Sequence, residues 1–326
     1  MSLTQFLILI GAAALISAAG AFSRTARLRL PLMLAFSVLT IFWLQPALPI
    51  RGLDFLLPTV TLILVLISWG LTAKPDEKDI RRNLQPLLII TGIVLALAFT
   101  RLFSLKGIIT PSRPPQLWVS LITVAVLGVL FSLVSRVKLV SKIWLGIGTL
   151  GLILLFILLK SPELAQAVST GLRGVTGQNR TAASGLDIRW LGFSYVAFRL
   201  IHTLRDRQSG RLPGVTLEEY FIYILFFPAF TAGPIDRLER FITYLRVPSP
   251  NSAEKLGQAG GRLFIGIVKK FIVADLLAMM ALNAANVDQL QSTGWAWILL
   301  YAYAFQIFFD FSGYTDIAIG LAGIMG

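Results

Sequence analysis

The chain has 326 residues, of which 56% are apolar and 14% charged, against roughly 25% charged residues in an ordinary soluble domain. This richness in apolar residues excludes a disordered chain, and the mean hydropathy of +0.77 points to a surface bathed largely in lipid. The net charge of +13 comes from Lys and Arg in short loops between apolar runs, which argues for cytoplasmic membrane loops rather than a nucleic-acid surface, and the lack of Cys excludes disulfides and thiolate chemistry.

A helix crosses the hydrocarbon core in roughly 20 apolar residues. Six segments of the first half approach that length: Leu3–Phe22, Leu30–Leu44, Leu53–Ala73, Leu84–Phe99, Leu117–Val134 and Ile143–Leu159. The first has no basic residue ahead of it and Arg24 behind it, so it reads as a retained transmembrane helix rather than a signal peptide. Nothing alternates in the manner of barrel strands. The first, third and fifth loops carry Arg24, Arg27 and Arg29; Lys74, Lys78, Arg81 and Arg82; and Arg136, Lys138 and Lys142. The opposite side carries only Arg51 and a fourth loop with Arg101, Lys106 and Arg113. The odd loops should be cytoplasmic and the N-terminus external. Lys160 to Asp187 then forms a longer external loop.

The second half has shorter and more polar apolar segments. A helix from about Ile188 to Leu204 leads to a basic loop with Arg205, Arg207 and Arg211. Leu217 to Ile235 is apolar but interrupted by Pro228, Gly233 and Pro234, and a second basic stretch follows with Arg237, Arg240, Arg246, Lys255 and Arg262. Basic flanks on both sides predict a re-entrant segment. Irregular backbone at membrane depth requires surrounding protein or a water-filled cavity. Leu263 to Leu282 is a further helix, with Lys269, Lys270 and Asp275 inside it, and Trp295 to Phe309 leads to Asp310. No internal repeat, low-complexity tract or domain linker is visible.

Several polar residues need a reason. Tyr195, Arg199, His202 and Asp206 recur at spacings of four, three and four on one helical face. His202 is the only imidazole and has the titration range of a general base, but a lone His on such a face is weak ground for that role, and a structural stripe is the favoured reading. Lys269 and Lys270 could snorkel to the interface. Asp310 and Asp316, six residues apart in apolar sequence, could bind a cation, move protons, pair structurally, or cap a helix restarting after Gly313.

Three stretches together resemble the membrane-bound O-acyltransferase family. They are Leu191-Gly192-Phe193-Ser194-Tyr195 continuing to Arg205-Asp206; Phe226-Phe227-Pro228 with Ala232-Gly233-Pro234-Ile235-Asp236-Arg237 and Phe241; and Phe308-Phe309-Asp310-Phe311-Ser312-Gly313-Tyr314-Thr315-Asp316 with Ala318, Ile319 and Gly320. Gly266 to Asp275 is similar to the family's linking helix, and the nearest types are bacterial alginate O-acetylation and teichoic acid D-alanyl transfer proteins. The resemblance covers Arg189 to Gly326. It implies an all-α polytopic transmembrane bundle around an internal tunnel, a single membrane domain over 1–326 with N-terminal helices in 1–160 and the family core in 188–326. It further implies transfer of an acyl group from an acyl-CoA or acyl-carrier thioester to a hydroxyl of an envelope polymer, in the cytoplasmic membrane, with a donor carrier and an envelope partner protein. Candidate tunnel residues are Arg199, His202, Asp206, Gly233, Pro234, Asp236, Arg237, Asp310, Ser312, Gly313, Tyr314 and Asp316. In such proteins the essential His follows the FDFSGY-like motif in a W-H-x-S-like segment, which residues 1–326 do not contain. The reading therefore assigns no catalytic residue and no metal. It expects a truncated product, a fragment or a descendant without catalysis, with no transfer by this chain alone. The alternatives are an ion-coupled transporter, suggested by the carboxylates and the re-entrant segment, and a non-catalytic partner of a His-bearing chain.

Overall fold

A computed structural model describes residues 3–21, 26–101, 114–137, 140–247, 252–283, 286–287 and 292–326. Arg24, Lys106, Arg113 and Lys138, which enter the orientation argument, lie outside them. The described residues hold helices and no strand. The helices are α1 (Leu3–Ala21), α2 (Arg29–Trp43), α3 (Leu53–Thr72), α4 (Ile80–Phe99), α5 (Leu117–Arg136), α6 (Lys142–Lys160), α7 (Pro162–Val175), α8 (Phe193–Gln208), α9 (Leu217–Leu225), α10 (Leu238–Arg246), α11 (Ala253–Val268), α12 (Asp275–Met280) and α13 (Thr293–Met325). Among the described residues, α3, α4, α5, α6 and α13 are long and apolar enough to cross a membrane, so the chain is a multi-pass membrane protein.

The chain divides into two compact units. One comprises Leu30–Thr231 and Ile235–Val247; the other comprises Met1–Arg29, Ala232–Pro234 and Pro248–Gly326. In the first, α3 is the central element, packed by α5, α6, α8 and α9. Its apolar window is 67% buried, whereas those of α5 and α6 are 22% and 11% buried and present their Leu, Ile and Val to lipid. Trp69 of α3 is fully buried and stacks on Phe131 of α5 at 6.2 Å.

The ends of several elements meet on one side of this unit. Lys78, buried in the turn after α3, donates to the carbonyls of Gly70 at 2.6 Å and Val137 at 2.7 Å. These are carbonyls near the ends of α3 and α5, which helices leave unsatisfied. Burial pushes its ammonium pKa down, and the neighbouring Arg207 adds to this. Asn83 at the start of α4 accepts from the backbone of Leu217, and Gln208 at the end of α8 donates to the carbonyl of Lys142. The third loop, the fifth loop and the α8–α9 loop thus share one side, as their common basic charge predicts.

Four expectations are revised. The stretch expected as a long loop, Lys160 to Asp187, contains α7. That helix fully buries only Ala165, Ser169 and Arg173, with Leu172 packed against Ile50, Leu53 and Leu57, so its buried face is narrow and its sequence lacks an apolar run. The helix expected from Ile188 begins at Phe193, because Gly192 adopts φ +72°. A Cβ there would also lie 2.5 Å from the Phe230 ring, so glycine is required twice over. The helix expected from Leu263 begins at Ala253, where Ser252 caps it by accepting from the Lys255 amide. Finally, α13 runs unbroken for 33 residues through Gly313. Asp316 is therefore no helix cap.

Candidate functional site

The polar residues collect in two clusters, one in each unit. In the unit holding the C-terminal residues, α11 continues through a π-helical stretch, Lys269–Ala274, directly into α12. π turns are rare and recur at functional sites. This rod packs along α13 with backbones in near contact. A Cβ on Gly266 would lie 2.7 Å from the Gly313 carbonyl oxygen, and one on Gly313 would lie 2.8 Å from the Lys270 amide. Gly320 and Ala259 continue the seam one heptad away on each helix. Small residues at such spacing let membrane helices approach closely.

This approach places the charges opposite one another. Asp316 is held by Lys269 Nζ at 2.6 Å and Arg262 Nε at 3.0 Å, and Lys269 also donates to Ser312 Oγ at 3.2 Å. Lys270 pairs with Asp310 and lies 5.8 Å from the ring centre of Tyr314. Tyr314 is buried, and Phe6 of α1 meets it edge-on at 5.6 Å. Charges inside a membrane span are expensive and pair with each other. Structural pairing, one of the roles read from the sequence, is what Asp310 and Asp316 perform. The lysines pair rather than merely snorkel. Asp275 is exposed, and Gln306 is half-buried. Arg29 closes the far end of α13, donating to the carbonyls of Met325 at 3.1 Å and Gly326 at 2.6 Å.

The second cluster surrounds the broken segment after α9. That helix begins with a capping box between Thr216 and Glu219 and stops at Phe226, before Pro228. Its last carbonyls face the protein interior, and Arg199 of α8, 3% exposed, satisfies them. Nη1 donates to the carbonyls of Tyr223 and Ile224 at 3.2 and 2.9 Å, and Nη2 to that of Ala229 at 3.1 Å. The guanidinium thus ties main-chain carbonyls on both sides of the break. Tyr223 Oη donates to the Asp236 carbonyl at 2.7 Å, and the Asp236 carboxylate accepts from the Arg237 amide and pairs with Arg240. Tyr220, fully buried, shares hydrogen bonds with Ser68 and Thr203.

The stripe read on α8 does not act as one face: Arg199 is buried, Asp206 half-buried and His202 exposed. Gly233 is buried, while Pro234 and Arg237 are exposed. Arg262 and Gly266 were not singled out as site residues. The signal that finds them is the seven-residue recurrence of Ala259 and Gly266, matched by Gly313 and Gly320. Another missed contact joins the two flanks of the broken segment. Arg246, behind it, forks onto the Glu219 carboxylate at 2.6 and 2.8 Å and donates to the Gly214 carbonyl at 2.7 Å, both ahead of it.

The sequence pattern of the MBOAT, membrane-bound O-acyltransferase family matches residues 96–326, beginning well upstream of the motif-bearing half. A teichoic acid D-alanyltransferase of Streptococcus thermophilus is 33% identical over 149 residues, 43% of this chain and 35% of the relative. A teichoic acid D-alanyltransferase of Bacillus subtilis is 33% identical over 145 residues, 43% of this chain and 36% of the relative. A Pseudomonas aeruginosa protein named "Probable alginate O-acetylase AlgI" is 34% identical over 137 residues, 42% of this chain and 26% of the relative. The match thus spans about a third or less of the length of these relatives.

Proposed function

This chain belongs to the membrane-bound O-acyltransferase family, and on that premise we propose that it serves acyl transfer to a hydroxyl of a cell-envelope polymer. The carrying observation is the charge-paired, glycine-seamed junction of α11 and α13, formed by the FDFSGY-like stretch on which the family resemblance rests. The donor is an acyl thioester, acyl-CoA or carrier-bound. Its carbon–sulfur bond breaks, the acyl carbon bonds to the acceptor oxygen, the hydroxyl proton passes to a base and the thiolate leaves. Asp310, Ser312, Gly313, Tyr314 and Asp316 form one stretch of tunnel wall, held in register by Lys269, Lys270 and Arg262. Arg199, Asp206, Asp236 and Arg237 belong to the wall around a re-entrant segment. His202, exposed on α8, is assigned no role as the base.

Two observations support the re-entrant reading. α9 has nine residues, a rise of about 14 Å against a hydrocarbon core of about 30 Å, and Arg246 ties both flanks together. The protein resides in the cytoplasmic membrane with its N-terminus external and meets a donor carrier and an envelope acceptor partner. The test removes the gene from its source organism and measures alkali-labile ester on purified envelope polymers. Loss of ester, restored by the wild-type gene but not by Lys269→Met or Asp316→Asn, is the expected result. Unchanged ester content in the deletion strain overturns the proposal.

A further inference from the structure

α7 presents three distinct sides. One side, with Ala165, Ser169 and Arg173, is buried. It is locked by Asp187, whose Oδ2 accepts from Ser169 Oγ at 2.6 Å, Arg173 Nε at 2.9 Å and the Ser184 amide at 3.2 Å. A second side carries Glu163, Gln166 and Thr170. The third carries Leu164, Ala167, Val168, Gly171 and Val175, spaced by three or four residues and so on one face. Leu164 is 47% exposed and Val175 88%, and Leu186 beyond the helix is 69% exposed. The helix therefore has an apolar stripe that its own fold leaves mostly uncovered, Val168 alone being half-buried, and that the Asp187 lock prevents from turning inward.

We propose that this stripe rests on the bilayer, so that α7 lies along the membrane surface with its third side among the lipid headgroups and upper acyl chains. The helix begins where a lipid-facing span stops: Ser161 alone separates it from α6, whose Ile153, Leu154 and Ile157 are exposed. The lipid-facing helix α6 thus ends one residue before the helix that carries the stripe, which sets the start of α7 at the level of the interface. Lys160 marks that level, with its ammonium 5.9 Å from the Phe156 ring centre, as a lysine does when its stem lies in lipid and its charge in water. Lys160, Arg180 and Arg189 are exposed in the same region and offer cations to lipid phosphates. A buried apolar face opposite a polar one is the general mark of an interfacial helix.

The chain has no Cys, so single cysteines at 164, 168, 175, 166 and 170 can each carry a spin label in the full-length protein. In proteoliposomes, collisions with oxygen, which partitions into lipid, are compared with collisions with a water-soluble nickel chelate. The expected ratio shifts towards oxygen at 164, 168 and 175 and towards nickel at 166 and 170. Equal nickel access at both sets would show a solvated surface and overturn the proposal. Protection of 164, 168 and 175 from both reagents would mean a second copy or another protein covers the stripe, and would overturn it equally. Three positions read the same face, so failure of one variant to fold leaves the other two decisive.

Discussion

At the scale of single residues, the cations do structural work that the sequence only half discloses. Arg199 satisfies three main-chain carbonyls at a helix break, and each buried group left without its donor costs about 1–3 kcal/mol. Arg199→Leu should therefore lower the unfolding midpoint of the purified protein clearly, and Arg199→Lys should recover only part of the loss because an ammonium lacks the planar fork. His202, though the sole imidazole, is exposed. Surface changes stay within about 0.5 kcal/mol, so His202→Ala should leave ester content in complemented cells near the wild-type value. A sharp drop would assign it the role of base. Asp187 gives a pH dependence. Burial pushes its carboxyl up, but the hydrogen bonds from Arg173, Ser169 and the Ser184 amide outweigh burial and hold it below the ordinary value of 3.8. A depressed folded-state pKa stabilises fully above the ordinary value and loses that contribution as pH falls through the folded one. Amide exchange in α7, corrected for intrinsic rates, should stay slow from neutral pH to about 5 and quicken only below about 4. Quickening near neutrality would contradict this.

At the scale of elements, the glycine seam between α11 and α13 sets the charge pairing. Gly313→Ala would push a methyl against the Lys270 amide and the Gly266 carbonyl. Overpacking of this kind costs about 1–3 kcal/mol, and here it would also part Lys269 from Asp316. Reduced heat stability in detergent is expected for Gly313→Ala, with Ser312→Ala milder. The first six helices are legible in the sequence to within four residues at either end, because each is a nearly uninterrupted apolar run bounded by polar or basic residues. α7 and the first half of α11 are not, because their buried faces are narrow and the rest of each surface is polar or small. The continuity of α13 through Gly313 is hidden for a related reason. Glycine there reads as a breaker until the facing Gly266 shows that it is a contact point. The candidate residues near Asp310 and Asp316 are legible as costly charges. Their partners are not, since pairing across more than forty residues leaves no local pattern.

At the scale of the whole molecule, basic loop ends gather on one side of the larger unit, and membrane topology follows from their charge. Asp76→Cys, Arg81→Cys, Arg211→Cys and Tyr244→Cys lie at exposed positions away from Lys78, whose side chain is committed to two carbonyls. None should react with an impermeant thiol reagent in intact cells, and all should react after permeabilisation. Reaction at 76 and 81 in intact cells would invert the orientation. Opposite behaviour of 211 and 244 would make the broken segment a true crossing.

The Arg199 contacts also bear on how the protein is made. Synthesis proceeds from the N-terminus, so the guanidinium enters the membrane 24 to 30 residues before the carbonyls it will bind. Lys269 and Lys270 likewise precede Asp316 and Asp310 by 47 and 40 residues. At each place the donor arrives first and must wait, charged and without its acceptor, beside the insertion machinery. The rod of α11 and α12 is then expected to settle into lipid only when α13 emerges, the two entering together as one hairpin whose charges cancel at the moment of release.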